Sequence, residues 1–228
     1  SIILSRSKKI KGECICMDIV KKWHGEKIAE KLKKNLEKRN IEMFYLEKKE
    51  DLTELIKSFV KENDTVSYGG SVTLKETGVL DFFRSGNYVF LDRDAYETRE
   101  EKDEIYRKSF SADYYFLSAS AVTMDGEILN VDGNGNRIAA MIFGPKKVFV
   151  IIGMNKLTAD IKEAEERIRL YAGPMDAKVL SKQTPCTVTG ECSDCKSPER
   201  ICNKYLVYRR EMNPDRMKVI LINESLGY

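Results

Sequence analysis

The run Lys147-Val-Phe-Val-Ile-Ile-Gly153 is apolar at every interior position. A strand with one wet face alternates polar and apolar residues. An unbroken run of this kind belongs to a strand covered on both faces, as in parallel sheets whose crossover helices lie above and below. Met217-Lys-Val-Ile-Leu-Ile-Asn223 reads as the last strand. Upstream, Ile19, Trp23, Ile28, Leu32 and Leu36 recur at helical spacing through 18–39, and Asn40 closes that pattern. Residues 43–46 read as a short strand. Asp51-Leu-Thr-Glu54 reads as a capping-box start to a helix whose apolar stripe covers 52–60. Thr65-Val-Ser-Tyr68 leads through Gly69-Gly70-Ser71 into another helix. A strand at 88–92, a charged helix over 93–110 and a strand at 114–119 follow. Asp125-Gly126, between two β-like runs, predicts a hairpin. A small-residue helix spans 138–142, and a helix over 158–171 turns Ile161, Ala164, Ile168 and Leu170 inward. This alternation predicts an α/β fold, a mostly parallel sheet flanked by helices on both faces.

At 228 residues the chain is long enough for one large core. Its 39 basic and 36 acidic residues give a formal charge of +3, spread over mixed-sign helical faces. With no basic stripe, no interleaved aromatics and no helix-turn-helix pattern, nucleic acid is not an expected partner. No apolar run approaches the roughly 18–20 residues of a membrane-spanning helix. The amino end lacks the apolar region of a secretory signal, so a cytoplasmic location is expected. Residues 1–16 read as a non-native leader, residues 17–60 as the N-terminal helical part, and 61–228 as the core. Within that core, 181–210 reads as a cysteine-bearing arm inserted after Gly173-Pro174.

In a cytoplasmic chain, cysteines are reduced, metal-bound or catalytic rather than disulfide-linked. Cys186, Cys192, Cys195 and Cys202 follow the spacing C-x5-C-x2-C-x6-C, with Gly190 and Pro198 to bend the loop. Such a loop can turn four sulfurs onto one centre, and an all-thiolate set selects zinc, iron–sulfur clusters or Cu(I) over magnesium or calcium. The spacing matches neither paired C-x2-C zinc motifs nor the standard ferredoxin runs. It therefore leaves open an iron–sulfur cluster, structural zinc and four metal-free thiols.

Two glycine-rich segments also precede helices. In the first, Gly69, Gly70, Ser71 and Thr73 could hold an anion through backbone amides and hydroxyls, or could form a plain tight turn. It is neither a Walker loop nor G-x-G-x-x-G. In the second, Asn130-Val-Asp132-Gly133-Asn134-Gly135-Asn136-Arg137, the arginine could grip a carboxylate or phosphate bidentately, and Asp and Asn could equally cap the loop. The acidic spacing of an EF-hand is absent. His24, the only histidine, sits on the first helix as a surface residue, so a Ser-His-Asp triad is not expected.

Together, Gly69-Gly70-Ser71-Val-Thr-Leu-Lys-Glu76-Thr-Gly78, the Asn130 to Ala139 segment and the closing Val-Ile-Leu-Ile-Asn-Glu-Ser-Leu-Gly resemble the lactate-utilisation (LUD) domain family. The cysteine string Thr-Pro-Cys-x-x-Thr-Gly-x-Cys-x-Asp-Cys-x-Ser-Pro-x-Arg-Ile-Cys-Asn is similar to that of a single-domain branch of it. The resemblance implies a fold like ribose-5-phosphate isomerase, glucosamine-6-phosphate deaminase and CoA transferases, with the glycine-rich loops meeting at the carboxyl ends of the strands. It also implies a link to oxidation of lactate to pyruvate beside iron–sulfur partner proteins.

Three functions follow as expectations. The first is a redox or electron-transfer accessory for small hydroxy- or oxo-acids, holding an iron–sulfur cluster of [4Fe–4S] type and working with a redox partner protein. The second is an isomerase- or transferase-type enzyme on a small anionic metabolite. There Glu76 or Asp132 is the general base, Ser71 and the amides of 70–72 hold the anion, Asn134 and Asn136 assist, Arg137 orients it, and zinc is structural. The third is a module that senses a small acid. A homodimer is expected only from the prevalence of symmetric assemblies.

Overall fold

The computed structural model describes the backbone of residues 11–228 and the side chains of residue 17 and of residues 19–228. The expected leader, 1–16, therefore lies largely outside the described residues. Where it is described, it continues the first helix, α1 (Lys11–Glu37), back to Lys11.

Six parallel strands form the main sheet in the order β1-β10-β7-β4-β2-β3. They are β1 (Glu42–Leu46), β2 (Thr65–Tyr68), β3 (Val89–Leu91), β4 (Tyr114–Leu117), β7 (Lys147–Gly153) and β10 (Met217–Ile222). The unbroken apolar run becomes β7, hydrogen-bonded to β10 on one side and β4 on the other. Its alternate residues enter two separate cores. Val148, Val150 and Ile152 pack with Leu32 and Leu36 of α1 and with Met141 of α6 (Asn136–Ile142). Phe149 and Ile151 pack on the opposite face with residues of α2 (Leu52–Lys57), α3 (Val72–Glu76) and α4 (Val79–Ser85). Two covered faces explain why the run has no polar position. An aromatic column crosses the second core: Phe116 stacks on Phe149 at 5.0 Å between centroids and meets Phe83 at 4.9 Å.

The hairpin at Asp125-Gly126 forms as expected, with β5 (Ala121–Thr123) antiparallel to β6 (Ile128–Asp132). Gly126 takes φ +94, a conformation L side chains rarely adopt, and Arg39 and Leu36 close over it. The sequence reading did not anticipate that this hairpin is the middle of a second sheet, β8-β5-β6-β9. β8 is Leu157–Thr158, and β9 is Lys204–Tyr208, paired antiparallel with β6. The segment 181–210 read as the cysteine arm therefore includes, near its end, the strand Lys204–Tyr208.

Three local expectations change. Asp51 is itself helical and makes no side-chain cap, because the turn Lys49–Asp51 already starts the helix. The capping box falls instead at Thr98 and Glu101, starting α5 (Arg99–Lys108), so the charged stretch from Arg93 divides into a turn and a helix. The helix expected over 158–171 is α7 (Ile161–Arg167), which runs through a π turn (Ile168–Ala172) into α8 (Gly173–Val179). The wider turn admits Pro174, which has no N–H to donate and would crowd a regular helix. The change of register leaves Leu170 exposed while Ile168 and Ala164 stay buried.

Phe149→Ala is expected to cost about 3–5 kcal/mol in urea unfolding, since it empties a sealed aromatic core. Val188→Ala, at a position 87% exposed, should stay within about 0.5 kcal/mol of the parent.

Candidate functional site

Parallel strands that end on one edge leave their following loops together there. The loops after β2, β4, β6 and β7 meet at a cleft of about 820 Å3, whose walls include Gly70, Ser71, Thr73, Ser118, Asp132, Asn134, Asn136, Arg137 and Lys156. The two glycine-rich segments, far apart in the sequence, therefore share one cavity. Gly69 donates its amide to Phe116 (2.8 Å), and a Cβ there would collide with the Arg137 side chain, so glycine is required for that close approach. Arg93 lies over Gly70 and against the Tyr106 ring, 5.1 Å from its centroid.

The polar residues of the first loop are partly committed to the fold. Ser71 caps α3 by accepting the Leu74 amide (3.4 Å). The buried Thr73 hydroxyl donates to the Leu226 carbonyl and accepts from Ser118, both at 3.3 Å. Glu76 is exposed and outside the cleft walls, accepting the Gly227 amide at 2.6 Å.

Arg137 and Asp132 form a closed network. The guanidinium reaches Asp132 Oδ1 from Nε (2.9 Å) and Nη2 (2.7 Å). It also reaches the Ser118 carbonyl (3.0 Å), Asn130 Oδ1 (2.6 Å) and the Val131 carbonyl (3.0 Å). Asp132 Oδ2 accepts the Arg137 and Ile138 amides at 3.1 and 3.0 Å, which caps α6. Both side chains border the cleft, but their polar atoms are turned into the joint between the two sheets. Asn134 is exposed and Asn136 half-buried along the same wall.

The sequence reading passed over Lys156, which lies between β7 and β8 in a short turn, is only 3% exposed, and yet forms part of the cleft wall. Its Nζ donates to the main-chain oxygens of Ala119 (3.1 Å) and Tyr228 (2.6 Å), and no Asp or Glu side chain pairs with it among the described residues. Burial, reinforced by the positive charges of Arg167 and Arg137, lowers its pKa to about 7. The one available sequence signal was a lysine directly after an apolar strand, where the carboxyl edge of the sheet must lie. Arg167 is held by the carbonyls of Asn155 (3.0 Å) and Ser120 (2.6 Å), and burial lowers its pKa too.

Cys186, Cys192, Cys195 and Cys202 are half-buried free thiols lining one small, mainly apolar pocket. Cys186 opens the short helix α9 (Cys186–Thr189), with Gly190 left-handed at its end. Ile168, Pro174 and Ala177 of the π turn and α8 form the far wall. Within Cys192-x-x-Cys195, Asp194 takes φ +49 and its amide donates to Cys192 Sγ (3.4 Å). Arg200 draws the loop together: it donates to the carbonyls of Cys195 (2.6 Å) and Cys202 (3.1 Å) and pairs with Asp194 at 2.8 Å. Among the described residues no three His, Cys, Asp or Glu side chains are placed closely enough to hold a metal ion. The donor set and the shared pocket fit a thiolate-bound centre; the sulfurs as placed do not form a closed ligand shell. Arg200, Ile201 and Cys202 border both this pocket and the cleft.

A six-stranded parallel sheet flanked by helices, with a cleft at its carboxyl edge, defines an α/β protein of the open-sheet class. The chain belongs to the LUD domain family, which matches residues 29–222. Among solved structures it is similar to a DUF162 family protein from Deinococcus radiodurans, at 12% identity over 86% of this chain and 97% of that one, with a TM-score of 0.49. It is also similar to eIF2B delta from Chaetomium thermophilum (17% identity, 50% of each chain, TM-score 0.33). A third is ribose 5-phosphate isomerase from Plasmodium falciparum (13% identity, 49% of this chain and 52% of that one, TM-score 0.31). No curated protein matches the chain.

Arg137→Leu should destabilise the fold by about 3–5 kcal/mol in chemical denaturation, because it strands the Asp132 carboxylate in the joint. Lys156 makes a pH-dependent contribution. Its folded pKa, about 7, lies below the ordinary 10.5, so between those values the unfolded chain binds more protons and stability rises with pH. The stability of the parent relative to Lys156→Met should therefore climb from pH 7 towards pH 10 and fall off no further below pH 6, measured by urea midpoints.

Proposed function

We propose that this LUD-domain protein holds an iron–sulfur cluster on Cys186, Cys192, Cys195 and Cys202 and acts as an electron-transfer accessory in the metabolism of small hydroxy- or oxo-acids. The supporting observation is that four thiols spread over the arm line a single pocket, and that this pocket shares a wall with the large cleft. An all-thiolate set suits soft or borderline metals, and a cluster would supply one-electron transfer.

Around it, the protein's own groups have definable work. Arg200 and the Asp194 amide brace the loop and place positive partial charge next to the sulfurs, which stabilises thiolates and a reduced centre. The cleft offers Arg93, which lies over Gly70, and on its walls Arg99 and Lys182, a cationic setting for a carboxylate or phosphate. A second reading, an enzyme on such an anion with structural zinc in the arm, is favoured by the volume and cationic lining of the cleft. In that reading Ser71, Thr73, Asn134 and Asn136 contact substrate.

Protein purified without oxygen should be brown, with broad absorption near about 400 nm and stoichiometric iron and sulfide. Cys195→Ser should lose that colour and lower the melting temperature, because ligand binding and folding are coupled. Colourless protein with one zinc would transfer the assignment to the second reading. Full iron occupancy in Cys195→Ser would sink the four-cysteine site.

A further inference from the structure

Four arginines border the cleft, and three of them are already engaged. Arg137 is bound into the joint, Arg200 holds two carbonyls and Asp194, and Arg99 pairs with Asp103 at 2.9 Å. Arg93 is the exception. Among the described residues its guanidinium makes no hydrogen bond to protein, and its Nε is buried with no partner. The one ion pair it makes among those residues is with the adjacent Asp94, whose Oδ1 stands 3.7 Å from Nε, too far for a hydrogen bond, and which also faces Arg84 at 4.0 Å.

The side chain is nonetheless held in place. Arg93 opens the short turn Arg93–Ala95, which Asp92 caps by accepting the Asp94 amide (3.0 Å). Its guanidinium lies 5.1 Å from the centroid of the Tyr106 ring of α5 and over Gly70, where a Cβ would come within 2.9 Å of Nη1. Glycine at 70 therefore leaves room for the group. The side chain keeps 25% of its surface exposed, at the cleft wall. The amide of Gly70 also donates no hydrogen bond among the described residues. Leaving such donors without an acceptor costs free energy, and native proteins leave few of them so. A fixed planar cation with all its donors unused is matched by an oxyanion, which accepts several hydrogen bonds at once.

We propose that Arg93 is the binding residue for the acid group of the cleft's ligand, taking a phosphate or carboxylate through its guanidinium nitrogens. Arg93 follows β3, the outermost strand of the main sheet, so the acid group sits at that end of the cleft. Asp94 on the cleft wall opposes an anion, and Lys75 and Arg99, also on the walls, offset it. Arg93 thus deepens the anion-binding role proposed for the cleft, on which it rests, and does not depend on what the cysteine pocket holds. No covalent bond forms or breaks: the arginine binds and orients.

Inorganic phosphate and oxalate are titrated into the protein by calorimetry, with sodium chloride at equal ionic strength as the reference. At least one should bind, with an affinity that falls on the order of tenfold in Arg93→Met, the loss expected when charge-assisted hydrogen bonds are removed. Tighter phosphate assigns a phosphate ester as the ligand; tighter oxalate assigns a carboxylic acid. Arg209→Met removes the same charge from an exposed site outside the cleft walls and should bind as the parent does. The unaltered protein, labelled with nitrogen-15, localises the contact: the arginine Nε–H signal that Arg93→Met lacks should shift on titration. Because Arg93 makes no hydrogen bond, the urea midpoint of anion-free Arg93→Met should stay close to the parent's. Binding that survives in Arg93→Met, an equal loss in Arg209→Met, or an unmoved Arg93 signal would overturn the role of Arg93 while leaving the cleft an anion site. A lowered midpoint with undiminished binding would make Arg93 purely structural. Binding of neither ion above the chloride reference would overturn it together with the anion reading of the cleft, and iron and sulfide content would still decide the cysteine reading.

Discussion

Arg137 leaves the first turn of α6 and runs back across Gly69 to the point where the two sheets meet. One guanidinium satisfies the carbonyl of Ser118, just beyond a strand of the main sheet, together with the Val131 carbonyl, the Asn130 side chain and the Asp132 carboxylate of the smaller sheet. A planar group with five donors suits this duty, which a lysine could not reproduce. Asp132 in return caps α6, the helix that carries Arg137. The network is circular: the helix aims the arginine, the arginine holds the aspartate, and the aspartate starts the helix. The wall of the cleft that carries Asp132 and Arg137 is built on that joint.

Around this joint, positive charge accumulates faster than negative. Asp132 answers Arg137, but Lys156 and Arg167 lean on main-chain oxygens rather than on Asp or Glu side chains. The consequence is a lowered pKa at both, and a cleft whose inner wall carries a readily deprotonated amine while its rim carries fixed guanidinium groups.

The cysteine loop adjoins this region because of two features of the neighbouring chain. The π turn at Ile168–Ala172 lets the helix continue through Gly173-Pro174, and its far side becomes the apolar wall behind the thiols. β9 then fastens the end of the arm to β6, with the Asn203 amide on the Asp132 carbonyl (3.1 Å) and Lys204 Nζ on that of Gly133 (2.8 Å). Cys202 is thereby brought to the edge of the cleft, next to the residues that form its floor.

The sequence alone determined the layered α/β architecture, because a strand buried on both faces must be apolar throughout and its crossover helices must be amphipathic. Those signals are local, and β7, β10, the hairpin at Gly126 and the helix-capping role of Asn40 follow from them. It also singled out both glycine-rich loops and the four cysteines. What only the tertiary structure decided is which of these meet and which are already engaged. Asp132 and Arg137 read as ligand-facing groups, but their hydrogen-bond partners come from strands whose approach no local pattern encodes. Glu76 faces the C-terminal segment rather than the cleft. Residues 204–208, Lys-Tyr-Leu-Val-Tyr, become β9 at the edge of the smaller sheet by pairing with β6, a partner from a distant part of the chain that no local pattern encodes. Lys156 was invisible for the same kind of reason: a lysine's charge is written in the sequence, but its desolvation comes from distant segments folding over it.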